Sequence, residues 1–216
     1  MDSPARFVAD LAAASIGDTT NVYSCHDPAL DRPEGAAIRA DNLLSYLESR
    51  RHPTLILVGE AAGYRGCRFS GVPFTSERSL PRDRWTSTRP DAWKEPSATI
   101  VHGTLQDLEL EQATLLWNAV PTHPARETPL SNRSPTRHEL AAGLLWFDRL
   151  ICLAHPGLVV AVGCSAASIL PPGTPRIRHP ANGGARAFRE QLAALMRESQ
   201  IRGRPAAGPQ FRVGTS

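Results

Sequence analysis

Three short stretches of the sequence place chemically able side chains in or directly behind candidate strands. Thr54-Leu-Ile-Leu-Val58 leads into Gly59-Glu60-Ala61-Ala62-Gly63, the run at 114–120 carries Trp117-Asn118, and the segment 175–178 leads into His179-Pro180-Ala181-Asn182. A carboxylate and an imidazole are the groups that most often move protons or face developing charge. A primary amide presents a donor and an acceptor side by side to a flat polar edge. Taken singly, each has a plainer role: a strand-end carboxylate can cap the next loop, an Asn can end a strand, and a histidine before proline is often a half-buried surface residue. In a parallel sheet, however, ligands bind outside the carboxyl ends of the strands, and there Glu60, Asn118 and His179 meet on one edge.

The elements that must position them follow from hydrophobic spacing. Residues 7–14 read as a short helix, followed by a loop rich in Asp, Asn and Pro through residue 33. A second helix is predicted over 34–51, with Ile38, Leu43, Leu44 and Leu47 near helical spacing. The continuous apolar run 54–58 reads as a buried parallel strand, and further strand candidates lie at 98–102, 114–120, 158–162 and 175–178. Thr136 and Glu139 form a capping box behind Pro135 and open a helix whose Leu140, Leu144, Phe147, Ile151 and Ala154 share a face. A last helix over 182–199 buries Phe188, Leu192, Leu195 and Met196. Strands alternating with helices predict an α/β fold, a three-layer α/β/α sandwich around a mostly parallel four-stranded sheet. The stretch 63–96 is a long loop dense in Gly, Pro, Ser and Arg, and loops of that length in compact domains usually serve function.

Composition narrows the class. The chain has 216 residues, 41% of them hydrophobic and 21% charged, enough to build one full core, with a formal charge of +3. One domain is expected over 1–202, with a disordered tail over 203–216. Apolar runs are far shorter than the roughly 20 residues of a membrane helix. The opening MDSPARFVAD lacks a basic start followed by an apolar stretch, so a cytoplasmic, monomeric protein with no membrane partner is expected. Lys94 is the only lysine, a bias attributed to GC-rich coding rather than to selection for guanidinium. Cys25, Cys67, Cys152 and Cys164 are scattered without any CxxC, so they read as free thiols and no metal site is expected. There is no GxSxG elbow, no P-loop and no Rossmann glycine spacing.

In order, LILVGEAAG, GVPFTSE, LLWNAVPTHP followed by NRSPT, VVAVGCSAA and RIRHPAN resemble the ordered motifs of the uracil-DNA glycosylase superfamily, and most of all its iron–sulfur branch. The likeness runs from about Thr54 to Leu195. It implies an enzyme that flips uracil out of DNA and hydrolyses its N-glycosidic bond without cutting the strand. It also implies roles. Glu60 would hold the attacking water and stabilise the oxocarbenium-like sugar, and His179 would donate to uracil O2 as the base leaves as an anion. Asn118 would read the uracil edge, Phe74 would stack on the base, and Ala61 and Gly63 would line the base pocket. Ser165, Asn182 and Arg186 would contact DNA, Ser165 through a phosphate cradle behind the strand at 158–162. Should the water be activated elsewhere, His123 or Glu77 are the candidates.

The sequence departs from that branch in three places. The branch holds its cluster through four cysteines, whereas only Cys25 lies in the upstream region and Thr122 stands near where the cysteine after Asn118 would be. No iron–sulfur cluster and no other cofactor is therefore expected. Ala62 replaces a proline, and Gly63 stands where the best-known family of the superfamily has a tyrosine that blocks a 5-methyl group. A second reading on the same fold is a protein that binds or traps uracil or abasic DNA with little turnover.

Overall fold

The three longer strands of the sheet are buried on both faces along most of their length, so they read as nearly unbroken apolar runs rather than alternating ones. The computed structural model describes residues 2–201, and the expected tail lies outside them. The sheet holds β1 (Leu55–Ala61), β2 (Thr114–Val120), β3 (Leu158–Val162) and the two-residue β4 (Arg176–Ile177). The order is β2-β1-β3-β4 and every pairing is parallel. Leu57 aligns with Leu116 and Val160, and Gly59 with Asn118.

The two faces separate by residue parity, as the pleat requires. Ile56, Val58, Leu115, Trp117, Ala119, Val159 and Ala161 pack beneath α1 (Pro4–Ala13), α2 (Gly35–Ser49) and α5 (Arg137–Ala154). Leu55, Leu57, Leu116, Val160 and Val162 pack against Val101 and Leu105 of α4 (Pro96–Asp107) and Phe188 and Leu192 of α7 (Ala185–Ile201). Two short helices, α3 (Cys67–Ser70) and α6 (Cys164–Ala167), complete the three layers. The Thr136–Glu139 capping box is present at the start of α5.

One expected strand is not a strand: residues 98–102 lie inside α4. Pro96 occupies its first turn, where a missing N–H costs nothing, and Ala98, Val101, Thr104 and Leu105 are buried at helical spacing. A five-residue apolar run fits either element, and here the face of the sheet needed a helix. The last helix begins at Ala185, so Asn182 stands in the turn before it.

The loops are tied by buried charge. Asp31 is fully buried between Arg39 and Arg68, at 3.1 Å and 2.9 Å. Arg39 also donates to the carbonyls of Val22 and Cys25 and to Thr86 Oγ1. One cluster thus joins the N-terminal loop, α2, α3 and the long loop. Burial would raise the Asp31 carboxyl, but its bond from Arg68 and the charge of Arg39 bring it below the usual range. Asp31→Asn is expected to cost about 3–5 kcal/mol, the effect of leaving buried cations without their anion. Urea unfolding of the variant measures this, and a change within the error of the wild-type midpoint would contradict it.

Candidate active site

At the carboxyl edge of the sheet β1 releases Glu60, half-buried, between two cavities. The larger, about 570 Å³, is lined by Glu60, Ser165, Arg176, Arg178, His179 and Asn182, among others. The second, about 400 Å³, is walled by Glu60, Ala61, Gly63, Glu95, Arg126 and His179, with others. Glu60 and His179 belong to both, so the carboxylate and the imidazole form the partition between them.

His179 follows β4. The Ala181 backbone N–H donates to its Nδ1 at 3.1 Å, so the neutral ring carries its proton on Nε2. Burial lowers the affinity of the ring for a second proton. Glu60 opposes that shift and Arg178 reinforces it, and the net value lies below that of a free imidazole. His179 is thereby a neutral donor beside an anion.

Phe74 and Asn118 do not line the open cavities. They lie under them, on the sheet face that packs against α4 and α7. The Phe74 ring centroid is 6.3 Å from that of His179. Phe74 has the left-handed φ of 51°, uncommon for a bulky residue. It rests on Gly59, where a Cβ would come within 2.3 Å of Phe74 Cζ. The Phe74 carbonyl faces Nε2 of His102 at 3.1 Å, and His102 Nδ1 faces Glu111 Oε1 at 2.8 Å. Asn118, the register partner of Gly59, is 3% exposed, and its Nδ2 has no hydrogen-bond partner. A buried amide donor without a partner is uncommon, because burial makes an unmade hydrogen bond costly.

The loop behind Glu60 is held from β2. His123 is fully buried, with Nδ1 2.7 Å from the Ala62 carbonyl oxygen and Nε2 3.1 Å from that of Pro129. Asn132 Oδ1 accepts from the Tyr64 N–H at 3.0 Å. Arg133 binds Glu139 at 2.7 Å, and this pairing pulls the Glu139 carboxyl down to about 2. Thr20 and His123 form an antiparallel bridge, and the Thr19 and Thr122 hydroxyls meet at 2.5 Å. These contacts correct one expectation. His123 is a fastener and cannot reach a water at Glu60. Glu77 is likewise committed, accepting from the Thr86 N–H, the Ser87 N–H and the Ser87 hydroxyl.

Of the expected DNA contacts, Ser165 and Asn182 reach the larger cavity, Asn182 in the left-handed conformation at φ 52°. Arg186 does not. It points out from α7 and pairs with Glu190 at 2.7 Å. Arg176 and Arg178 stand nearer, lining that cavity from β4 and the residue after it. Sequence reasoning also missed Glu95. Its Oε1 accepts from Ser97 at 2.9 Å, and its Oε2 lies 1.8 Å from where a Cβ on Gly66 would be, so any side chain there would displace the carboxylate. Burial raises the Glu95 carboxyl. Reading 98–102 as helix would have put Glu95 at the cap of α4.

The cysteines do not fit an iron–sulfur cluster. Cys67 is buried against the Tyr23 hydroxyl, the other three are exposed, and among the described residues no group of three or more His, Cys, Asp or Glu is placed to hold a metal. Among the described residues no helix is long and apolar enough to cross a membrane.

Residues 46–202 match the family model described as the uracil DNA glycosylase superfamily, and the chain belongs to that superfamily. Membership supports a glycosylase-type hydrolase that acts on DNA. The fold is similar to the crystal structure of wild-type Pedobacter heparinus SMUG2, with a TM-score of 0.60 and 11% identity over 93% of this chain and all of the other. At that identity the likeness establishes the shared fold. No curated protein matches the sequence.

Two outcomes test this geometry. A methyl group at position 59 must displace the Phe74 ring, so Gly59→Ala is expected to cost about 1–3 kcal/mol. Adding Phe74→Leu should recover part of that loss in a double-mutant cycle, and strict additivity would deny the contact. The second outcome is set by pH. The folded-state affinities of His123 and His179 for a proton are both lowered, His123 chiefly by burial, while an unfolded histidine takes its proton near 6.5. Below that pH the unfolded chain binds more protons, so their contribution is complete above about 6.5 and drains away as pH falls. The melting temperature should decline from pH 7 to pH 5, and less steeply in His123→Gln. Equal slopes for the two proteins would contradict a buried neutral His123.

Proposed function

We propose that the protein is a monofunctional uracil-DNA glycosylase that flips uracil out of DNA and hydrolyses its N-glycosidic bond, leaving an abasic site. The observation that carries this reading is the pairing of Glu60 with a neutral, Nε2-protonated His179 across two joined cavities, above a buried amide with an open donor. A stacked base cannot be reached in the duplex, so the nucleotide must leave the stack and enter the cavity. There the C1′–N1 bond lengthens, the sugar gains positive charge and the base gains negative charge. Glu60 faces the sugar, stabilises the cation and accepts a proton from the attacking water. His179 donates from Nε2 to uracil O2, where the anionic charge collects. It need not transfer its proton, because a neutral imidazole can stabilise the oxyanion by hydrogen bonding alone.

Base identity falls to Asn118, whose Nδ2 donates to O4 while its carbonyl accepts from N3–H. Phe74 offers a ring beside His179, and Ala61 and Gly63 form the wall. Gly63 leaves room near the 5-position, and Glu95 stands close by, with Oε1 3.5 Å from where a Cβ on Gly63 would lie. Ser165 and Asn182, joined by Arg176 and Arg178, would receive phosphates around the larger cavity.

Single-turnover hydrolysis of a uracil-containing duplex, read by release of free base and by denaturing electrophoresis, tests the reading. Glu60→Gln should bind uracil DNA and slow excision by roughly 10²–10⁴, the range of a positioned acid/base group. His179→Ala should lose about 2.7–4 kcal/mol of transition-state stabilisation. Wild-type rates in both variants would dismiss the assignment. Stoichiometric retention of product on the gel would favour a trapping protein instead.

A further inference from the structure

The long segment between Gly63 and Glu95 is an ordered platform. Glu77 staples it internally, and Arg39 ties Thr86 to α2. On its outer side lies an open groove of about 750 Å³ lined by Arg65, Arg78, Trp85, Arg89, Trp93 and Lys94, together with Asp91 and Ala92. Its four cationic side chains are exposed and none is in an ion pair among the described residues, so one carboxylate there faces four positive charges.

The aromatic rings in and around the groove are already in use. Trp93 stacks on Phe69 at 5.1 Å with an 11° interplanar angle, and the Arg89 guanidinium lies 4.2 Å from the Trp93 ring centre. Arg65 lies over Tyr64 and donates to its hydroxyl at 2.7 Å, and Arg82 lies over Trp85. Guanidinium groups held against rings lose part of their rotational freedom in advance, which suits bidentate binding of phosphate oxygens. Because the rings are covered by guanidinium groups, they offer flanking bases little to stack on.

Both ends of the platform run into the cavity that holds Glu60 and His179. Gly63 lines that cavity two residues before Arg65, and Glu95 lines it directly after Lys94, about 3.8 Å away along the chain. We propose that this groove is a phosphodiester clamp for the DNA strand flanking the nucleotide in the cavity, reading its charge and not its sequence. The proposal rests on the glycosylase reading for the identity of that strand. It gives the platform a partner that the pocket residues alone do not supply.

The test is equilibrium binding of the full chain to a short duplex carrying a stable abasic analogue, followed by fluorescence anisotropy over a series of salt concentrations. Each phosphate contact contributes about 0.9 to the slope of log affinity against log salt. Arg78→Ala/Arg89→Ala/Lys94→Ala should therefore lower the slope by about 2–3 and weaken binding at least about tenfold at low salt. The loss should be the same on duplexes of unrelated sequence. Arg89→Lys, which keeps the charge, should keep the slope. Arg50→Ala/Arg51→Ala, at the opposite edge of the sheet, should leave it unchanged. An unchanged slope in the triple variant, or an equal loss per charge in the control pair, overturns the clamp. The binding assay requires no chemistry, so the two readings can fail separately. Uracil release with an unchanged slope in the triple variant removes the clamp alone. The expected slopes without any base release by the wild type leave the clamp standing and remove the glycosylase.

Discussion

The tip of the Phe74 ring rests on Gly59, the residue of β1 that has no side chain, and the arrangement of the site follows from that contact. Any Cβ at position 59 would occupy the ring. With glycine there, the ring settles beside Asn118, the register partner of Gly59, and within 6.3 Å of the His179 ring. The backbone must take the left-handed φ at Phe74 to bring the ring in, a conformation costing of order 1 kcal/mol or more for such a residue. The His102–Glu111 pair facing the Phe74 carbonyl and the core residues of α4 hold it there. An aromatic face, an open amide and an imidazole donor are thus set by close packing, which responds to a single methyl group.

Around that contact, charge is sorted by depth. Where carboxylates are buried with a structural task they have guanidinium or backbone N–H partners, as with Asp31 between Arg39 and Arg68 and Glu77 at the Thr86–Ser87 turn. Glu95 has neither. It has the Ser97 hydroxyl and a glycine, and burial favours its neutral form. Glu60 lies at the strand end, half-buried, where the sheet opens onto the cavities. His179 has its Nδ1 occupied by a backbone N–H, leaving Nε2 as the proton-bearing atom. An anion for a cationic sugar and a neutral donor for an anionic base are the two requirements of the proposed reaction.

The N-terminal loop is fastened by hydrogen bonds where metal–thiolate bonds would need cysteines. The Thr20–His123 bridge and the Thr19–Thr122 hydroxyl contact join this loop to the end of β2, and the Arg39 fan to Val22, Cys25 and Asp31 ties it to α2. His123 continues the chain of contacts to the Ala62 carbonyl, two residues beyond Glu60. The orientation of the proposed catalytic carboxylate is therefore coupled to a loop that contributes nothing to the cavity surface.

By itself the sequence located the segments that form the four strands, the capped helix α5, and the placement of Glu60 and His179 at the ends of two of those segments. Continuous apolar runs and a local capping box are signals within one element, and the carboxyl-edge rule turns them into a shared location. Tertiary structure decided the rest. Residues 98–102 became helix because the face of the sheet bearing Leu55, Leu57 and Leu116 required one, and no five-residue window carries that information. Glu95 entered the cavity wall because Gly66 makes room for it, a pairing 29 residues apart in the sequence. His123 became a fastener because burial placed two carbonyls against its ring. In each case the deciding neighbour is distant in sequence or selected by packing, so the residue type was visible in the chain but its surroundings were not.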